Sequence, residues 1–529
     1  MTPQEFIAKW RAVDLKERSA SQSHFNDLCR LLGVDDPTTA DGKDEWFSFE
    51  RGVSTATGGQ GWADVWRKDC FAWEYKGKGK DLKAAYTQLL RYTGNLGNPP
   101  LLIVSDMNRI IIHTNWTNTV QVVHDLTLED LLQADKRDLL RAAFLNPDRL
   151  KPTKTRQAIT EEAAEKFVSI AERLRKRGNA PQAVAHFINR LVFCMFAEDV
   201  ELLPDRYFSQ MIDRCQGRSD HLFAQYATTL FQAMRSGGHV GFDKIEWFNG
   251  GLFDSDDALP LTYADIDDLK RAAHLDWSAI DPSIMGTLFE RGLDPDKRSQ
   301  LGAHYTDRDK IMMIVTPVMV DPLMAEWAGV RAQIEGLLGG TAKRALDQAQ
   351  ALKSAFLERL ARFRILDPAC GSGNFLYLAL KSLKDIEHLV NIQAEGLGLQ
   401  RDLPRTGPEN LLGIELNPFA AELARVSVWI GEIQWMRRNG FEAGKNPVLR
   451  TLDTIQCRDA VLGPDGGRAA WPKADVVVGN PPFLGNKKMI CELGGHSTSP
   501  YAAPSLCHRN ALGVVSPSSR FPHQQNIGR

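Results

Sequence analysis

The chain has 529 residues, too many for one hydrophobic core, so several domains are expected. Hydrophobic residues (43%) and charged residues (25%) have the shares of ordinary globular proteins, which excludes a fibrous or disordered chain. The net charge of −2 means that any contact with nucleic acid depends on local basic patches.

Eight cysteines without paired spacing are typical of free thiols in a reducing cytoplasm. The N-terminus lacks the apolar core of a signal peptide, and the longest apolar run, IMMIVTPVMV, is far shorter than a membrane span. These features predict a cytoplasmic protein.

Residues 1–150 predict a mixed α/β domain. A helical opening, HFNDLCRLLGV, precedes four strand-like stretches, WADVW, FAWEYK, LLIVSD and RIIIHTNW. The helical pattern DLKAAYTQLLRY lies between the second and third of these stretches. The predicted order is therefore strand, strand, helix, strand, strand.

Two carboxylates and a lysine in this segment have the spacing of a metal-dependent nuclease site. Asp64 precedes Glu74 by ten residues, and Lys76 follows two residues later. On paired strands the carboxylates can meet and hold Mg²⁺, while Glu74 and Lys76 share a face. The ammonium would then lie beside a metal-bound water and the scissile phosphate. A solvated strand edge with alternating charges is the alternative interpretation.

Residues 151–300 predict a helical spacer. A proline-containing basic linker, LNPDRLKPTKTRQ (145–157), leads into it. Helical periodicity dominates in EEAAEKFVSIAERLRKRG and AVAHFINRLVFCMFAEDV, with few strand signals. The acidic pair Glu198 and Asp199 is predicted to be structural rather than catalytic.

Residues 301–489 alternate between helical and strand patterns. Helical stretches precede the strand RILDPA, and the strands NLLGIEL and DVVVGN follow with long helical patterns between them. Strands that alternate with helices predict a Rossmann-like, doubly wound parallel sheet. The fold class is thus α/β and multidomain.

A glycine turn after the first of these strands predicts a cofactor site. Leu376 stands where a dinucleotide fingerprint has its third glycine, so the turn suits S-adenosylmethionine, which has no pyrophosphate. Glu415, at the end of the next strand, is placed to accept hydrogen bonds from ribose hydroxyls, and Asp459 from the adenine amine. A tight strand-to-helix connection without a ligand is the alternative for the glycine turn alone. The predicted contacts on the first strand and turn are Asp367, Pro368, Ala369, Gly371, Gly373 and Asn374.

The stretch VVVGNPPF predicts the catalytic turn. Asn480 offers a side-chain carbonyl and Pro481 a backbone carbonyl, and Pro482 stiffens the turn that holds them. Two acceptors aimed at an exocyclic amine make its nitrogen more nucleophilic, and Phe483 can stack on a flipped base. Adenine N6 is the predicted target, with cytosine N4 open on chemistry alone. Cytosine C5 is excluded because no cysteine nucleophile stands in this turn.

The motifs together resemble a known group of enzymes. Residues 300–489 look like an amino-group DNA methyltransferase with the cofactor motif first, and GAHYTDRDKIMMIV resembles its preceding segment, with Tyr305 and Thr306 as cofactor contacts. The front is similar to the PD-(D/E)xK nucleases, whose pattern also implies Gln88 on the following helix. The whole resembles the MmeI-like group of type IIG restriction-modification enzymes. This implies S-adenosylmethionine, Mg²⁺ at Asp64 and Glu74, and double-stranded DNA as partner.

The last residues, 490–529, depart from this pattern. They are rich in serine, proline, histidine and glycine and contain one carboxylate. In the MmeI-like group the sheet continues and a recognition domain follows, so we expect a truncated or frameshifted chain, with a missing recognition domain or a partner chain. A catalytically silent remnant, a nuclease-only phage-defence protein and a methyltransferase that needs a partner are the competing hypotheses.

Overall fold

The computed structural model describes most of the chain in two compact units. Its described ranges are 1–12, 17–51, 63–94, 96–117, 119–204, 206–218, 220–245, 248, 252–283, 286, 308–339, 343–441 and 452–481. The first unit comprises Met1–Ile159, Asn391–Arg401 and Gln434–Gly444, and the second comprises the rest. The predicted boundaries at 150, 300 and 489 remain predictions.

The first unit contains a six-stranded mixed sheet in the order β1 to β6. Its strands are β1 Phe47–Arg51, β2 Ala63–Arg67, β3 Phe71–Tyr75, β4 Leu101–Ser105, β5 Arg109–Thr114 and β6 Val123–Thr127. Strands β3 and β4 are parallel, because helix α4 (Leu82–Leu90) connects them, and the other neighbours are antiparallel. The predicted order of strands and helix is confirmed here, while β1 and β6 were not predicted.

Helices cover both faces of this sheet. One face packs on α1 (Pro3–Ala12), α2 (Glu17–Leu32) and α5 (Ala134–Leu145) through an aromatic core. Helix α4 covers the other face with Leu82, Ala85 and Leu89. It begins after Asp81, whose carboxylate accepts hydrogen bonds from the backbone N–H groups of the first turn. A four-residue helix, α3, spans Pro37–Ala40.

Residues 391–401 and 434–444 pack within the first unit. The Arg91 Nε donates a hydrogen bond to the Gly440 carbonyl over 2.8 Å. The Arg401 guanidinium lies over the rings of Tyr92 and Phe441 at 5.6 and 5.9 Å. The first unit is therefore built from three separate stretches of the chain.

The second unit begins with a helical region, as predicted. Its helices are α6 Arg156–Lys176, α7 Pro181–Asp199, α8 Tyr207–Cys215, α9 Asp220–Ser236 and α10 Tyr263–Ala273. An unpredicted hairpin, β7 Gly238–Val240 and β8 Asp243–Ile245, follows α9. The Glu198 and Asp199 carboxylates accept hydrogen bonds from the backbone N–H groups of Ser209 (2.8 Å) and Trp277 (2.7 Å), as expected of structural residues.

A long apolar helix leads from this region towards the second sheet. It consists of α11 (Arg308–Val315), a π-helical turn at Thr316–Val320 and α12 (Asp321–Leu338). Pro317 has no backbone N–H to donate, so a widened turn is the local solution. Among the described residues, this segment alone is long and apolar enough to cross a membrane, with a mean hydropathy of 1.4 in its most apolar window. A core helix of a soluble protein meets the same criterion. Helix α13 (Lys343–Arg362) follows.

The sheet of the second unit has four strands in the order β11-β10-β9-β12. They are β9 Ile365–Asp367, β10 Leu411–Glu415, β11 Ile455–Cys457 and β12 Val476–Val477, and every neighbouring pair is parallel. Helix α14 (Asn374–Gly396) follows β9, and α15 (Pro418–Arg438) follows β10. The predicted adjacent parallel strands are confirmed.

Candidate active site

The candidate site lies where the four parallel strands end. Strand β9 is central, with Ile365 beside both Leu411 of β10 and Val476 of β12. Because parallel strands end at one edge, the residues that follow them are brought together. Three carboxylates and one amide lie at the ends of these strands or within three residues after them, namely Asp367, Glu415, Asp459 and Asn480.

The glycine turn after β9 is held by the end of β10. The Gly371 N–H donates a hydrogen bond to the Glu415 Oε2 over 2.8 Å. Gly371 and Gly373 have φ of +51° and +85°, a left-handed conformation that glycine adopts without strain. A Cβ on Gly373 would lie 2.9 Å from the Cα of Ala424 on α15, so the turn also needs glycine for space.

Glu415 is fixed from both sides. Its Oε1 accepts a hydrogen bond from the Asn417 N–H over 2.8 Å, and its Oε2 binds the glycine turn. The side chain remains half-buried rather than enclosed. Each carboxylate oxygen can accept a second hydrogen bond, so Glu415 retains capacity for ligand hydroxyls.

Asp367 is the most enclosed carboxylate at this edge. Its side chain is buried, and its Oδ1 accepts a hydrogen bond from the Ala369 N–H over 3.1 Å. Gly479 approaches so closely that a Cβ at that position would overlap the carboxylate. Burial raises the pKa of Asp367 to about 7, and the nearby negative charge of Glu415 acts in the same direction.

Replacing Asp367 by asparagine is expected to change how stability depends on pH. The pKa of Asp367 rises from its ordinary value of 3.8 to about 7 in the folded chain, so the folded state holds a proton that the unfolded state has lost. Stability therefore falls as pH rises from about 4 to about 7, by on the order of 4 kcal/mol. Asp367→Asn should remove this contribution, which urea unfolding at pH 5 and pH 8 would measure.

The matched control for that experiment is Asp385→Asn, at a half-exposed aspartate on α14 that pairs with Lys381. This variant should keep the pH dependence of the unmodified chain. Equal pH dependence in Asp367→Asn and the unmodified chain would contradict the prediction.

The remaining predicted cofactor residues have different surroundings. The Asp459 Oδ1 accepts hydrogen bonds from the N–H groups of Val461 (2.7 Å) and Leu462 (3.1 Å), so it stabilises its own loop. Pro368, Ala369 and Asn374 are half-buried around the turn. Tyr305 and Thr306 lie outside the described residues.

The predicted catalytic turn begins at the same edge. The Val478 N–H donates a hydrogen bond to the Leu366 carbonyl over 2.9 Å, which keeps β12 in register with β9 up to Gly479. Asn480 and Pro481 follow at once, and both are exposed. The structure thus brings Asn480 and Pro481 beside the end of β9. Pro482 and Phe483 lie outside the described residues.

A second cluster lies on the sheet of the first unit. Val65 pairs with Trp73 in the antiparallel ladder of β2 and β3, which places Asp64 opposite Glu74. The Asp64 Oδ2 accepts a hydrogen bond from the Tyr75 N–H over 2.6 Å. Glu74 is 6% exposed, and its Oε1 lies 2.8 Å from the Lys76 Nζ. The predicted carboxylates are therefore neighbours on two paired strands, and Lys76 directly follows the second strand.

The side of the sheet that this cluster faces also carries α4. Ala72, two residues before Glu74, packs under α4, so Glu74 faces the side of the sheet that carries α4. Gln88 is half-buried on α4. No group of three or more His, Cys, Asp or Glu side chains suited to a metal occurs in the described part of the chain. Two carboxylates completed by water suit Mg²⁺, which keeps several waters in most sites.

Two residues of the candidate active site were missed by the sequence reasoning. Gly479 leaves the space that the Asp367 carboxylate occupies, and Asn417 secures Glu415. Glycine directly before Asn-Pro-Pro is a signal for a close backbone approach. Asn417 has no comparable signal, since asparagine commonly begins a helix, as it does here for α15.

Two family models match the chain. The model for the MmeI DNA-methyltransferase domain matches residues 342–493, which contain all four strands of the parallel sheet. The model for the MmeI helicase spacer domain matches residues 182–253, inside the predicted helical spacer.

Curated relatives extend over both regions. DNA methyltransferase A of Bacillus subtilis (strain 168) is 27% identical over 506 residues, which are 90% of this chain and 53% of that protein. A putative type II restriction enzyme and methyltransferase of Methanocaldococcus jannaschii is 23% identical over 323 residues, 52% of this chain and 27% of that protein. The chain thus spans about half the length of the first relative and less of the second.

One solved structure has a sequence identity to this chain similar to that of the curated relatives. The type IIL restriction-modification enzyme MmeI, solved in complex with DNA, is 26% identical, with a TM-score of 0.49, covering 63% of this chain and 45% of that chain.

Proposed function

We propose that this chain, which is MmeI-like in its spacer and methyltransferase regions, transfers a methyl group from S-adenosylmethionine to adenine N6 in DNA. One observation carries the proposal. Strand β12 runs parallel to β9, so Asn480 and Pro481 emerge beside Asp367 and the glycine turn. An acceptor pair for an amine and a candidate cofactor turn are thus neighbours at one edge of the sheet.

The residues at this edge fit S-adenosylmethionine. Ligands of open parallel sheets bind at the carboxyl ends, where neighbouring strands send their connections in opposite directions. Strands β9 and β12 form such a pair in the order β11-β10-β9-β12. Glu415 can accept hydrogen bonds from ribose hydroxyls, and Asp367 suits an ammonium group. Since Asp367 has a pKa near 7, binding a cation there would favour its ionised form and release a proton.

The catalytic contribution of the protein is the alignment of an amine. Bound S-adenosylmethionine supplies the electrophilic methyl group. The Asn480 side-chain carbonyl and the Pro481 backbone carbonyl accept hydrogen bonds from the two N–H bonds of the target amine. Pro481 carries no N–H that could compete for these acceptors. The nitrogen lone pair then points away from both carbonyls, ready for in-line attack, after a flipped base has entered the site.

A second candidate function is Mg²⁺-dependent DNA cleavage in the same chain. It is favoured by the pairing of Asp64 opposite Glu74, with Lys76 at 2.8 Å from Glu74. The two carboxylates would hold Mg²⁺, and Lys76 would stabilise negative charge on the scissile phosphate. Both activities together would make the chain a cytoplasmic restriction-modification enzyme that acts on double-stranded DNA.

A single set of reactions tests both functions. Mixed-sequence DNA is incubated with the chain and Mg²⁺, with and without S-adenosylmethionine, and the cut ends and modified bases are sequenced. We expect N6-methyladenine only with the cofactor, and cleavage only with Mg²⁺. Calorimetry with S-adenosylmethionine identifies a silent remnant, which neither binds nor methylates. Methylation at cytosine N4 instead of adenine N6 would refute the target base but not the chemistry.

A further inference from the structure

The backbone of Gly286 lies directly against the candidate cofactor turn. A Cβ at Gly286 would lie 2.7 Å from the Ser372 Cβ, 2.8 Å from the Ser372 Oγ and 3.4 Å from the Asn374 Oδ1. Gly286 and Ser372 are both buried. The φ of Gly286 is not in the left-handed region, so the backbone conformation accepts any residue. A side chain at position 286 is therefore opposed by lack of space and not by the backbone conformation.

The next residue of the turn also has a close neighbour. Gly373, the residue after Ser372, has room for no Cβ because the Ala424 Cα on α15 would be 2.9 Å away. The turn is thus in close contact with both Gly286 and α15. The N–H of Gly371, the residue before Ser372, donates the hydrogen bond to Glu415. Movement of Ser372 would consequently displace the Gly371 N–H from Glu415.

Helix α7 also fixes the position of α15. The His186 Nδ1 lies 2.7 and 2.8 Å from the two carboxylate oxygens of Glu422. Glu422 precedes Ala424 by two residues, so the contact holds the part of α15 that touches the turn. His186 lies within the match to the spacer model. The region before the methyltransferase match therefore supports the cofactor turn both directly and through α15.

We propose that Gly286 is a positioning residue for the cofactor turn. It does not touch the ligand but sets the place of Ser372, and through it the place of Gly371 and Glu415. The proposal rests on the proposed function, in which the ligand of the turn is S-adenosylmethionine. It implies that the affinity for the cofactor depends on a residue well before the glycine motif in the chain.

The test is a steric double-mutant cycle with Gly286→Ala, Ser372→Gly and the combined variant. Gly286→Ala forces Ser372 to move, and overpacking of this kind should weaken S-adenosylmethionine binding about tenfold. Adding Ser372→Gly removes the atoms that the new methyl group meets and should restore most of the affinity. The control is Gly329→Ala on α12, where nothing lies within 4 Å of an added Cβ. Calorimetry measures the affinity, and thermal melting of the cofactor-free chain measures the packing.

Each result supports or overturns the proposal. Unchanged affinity in Gly286→Ala, or no recovery in the combined variant, overturns it. Loss of melting temperature with unchanged affinity shows a purely structural glycine and also overturns it. If the unmodified chain does not bind S-adenosylmethionine, the proposed function fails. In that case, additive losses of melting temperature in the cycle would also refute the contact between Gly286 and Ser372. Recovery of the melting temperature in the combined variant would support the contact.

Discussion

Asn480→Ala is expected to lower the rate of adenine methylation by about 10²- to 10³-fold, the usual effect of removing one positioned hydrogen-bonding group from an active site. The side chain of Asn480 supplies one of the two proposed acceptors, and alanine leaves the target amine with the Pro481 carbonyl only. Methyl transfer to mixed-sequence DNA at saturating cofactor measures this loss.

The affinity of Asn480→Ala for S-adenosylmethionine should remain close to that of the unmodified chain. Asn480 is exposed at the sheet edge, whereas the candidate cofactor turn is held by Glu415 and α15. Calorimetry therefore separates a catalytic defect from a binding defect. Asn179→Ala is the matched control, since Asn179 lies three residues after α6 and its side chain donates a hydrogen bond to the Leu174 carbonyl. Undiminished methylation by Asn480→Ala would refute the role of the turn.

Glu74→Gln is expected to abolish Mg²⁺-dependent cleavage, with a loss of at least about 100-fold, and to leave methylation intact. Glutamine keeps the shape of the side chain but removes the charge that would bind the metal. Removing an outer-shell partner of a metal ligand already lowers metal affinity or activity about 10- to 100-fold, so removing the ligand itself should lower activity further. The buried position of Glu74 and its contact with the Lys76 Nζ at 2.8 Å make a neutral substitute a large electrostatic change.

The control for this variant is Glu129→Gln in the same unit, at an exposed glutamate that pairs with Arg11. Cleavage should persist in Glu129→Gln and disappear in Glu74→Gln at Mg²⁺ concentrations that just saturate the unmodified chain. Recovery of cleavage at high Mg²⁺ would indicate weakened metal binding and would support the assignment. Equal cleavage by both variants at every concentration would refute it.

The elements of both units were largely predictable because their patterns are strong. The strand that ends at Asp367 and the strand that ends at Glu415 are short apolar runs next to long helical patterns, and both occur where predicted. The pairing of Asp64 with Glu74 was also predictable, since the intervening residues form a tight turn between two β-rich stretches. Alternation of helix and strand was enough to predict adjacent parallel strands.

Features that depend on distant contacts were not predictable. The hairpin at β7 and β8 lies in a segment with few strand signals, and β1 is a short strand with only two apolar residues, Phe47 and Phe49. The fit of Gly286 against Ser372 joins residues far apart in the chain, and neither residue carries a local signal. The burial of Asp367 under Gly479 likewise arises only when β9 and β12 are paired.

The three-part makeup of the first unit has a practical consequence for dissecting this protein. A fragment that ends near Ile159 would contain the whole six-stranded sheet but would lack Asn391–Arg401 and Gln434–Gly444. Arg91 would lose its acceptor at Gly440, and the ring of Tyr92 would lose the Arg401 guanidinium. Such a fragment would expose surface that is covered in the intact chain and would tend to aggregate. Inactivating point substitutions in the intact chain are thus the sounder way to assign each activity to its own residues.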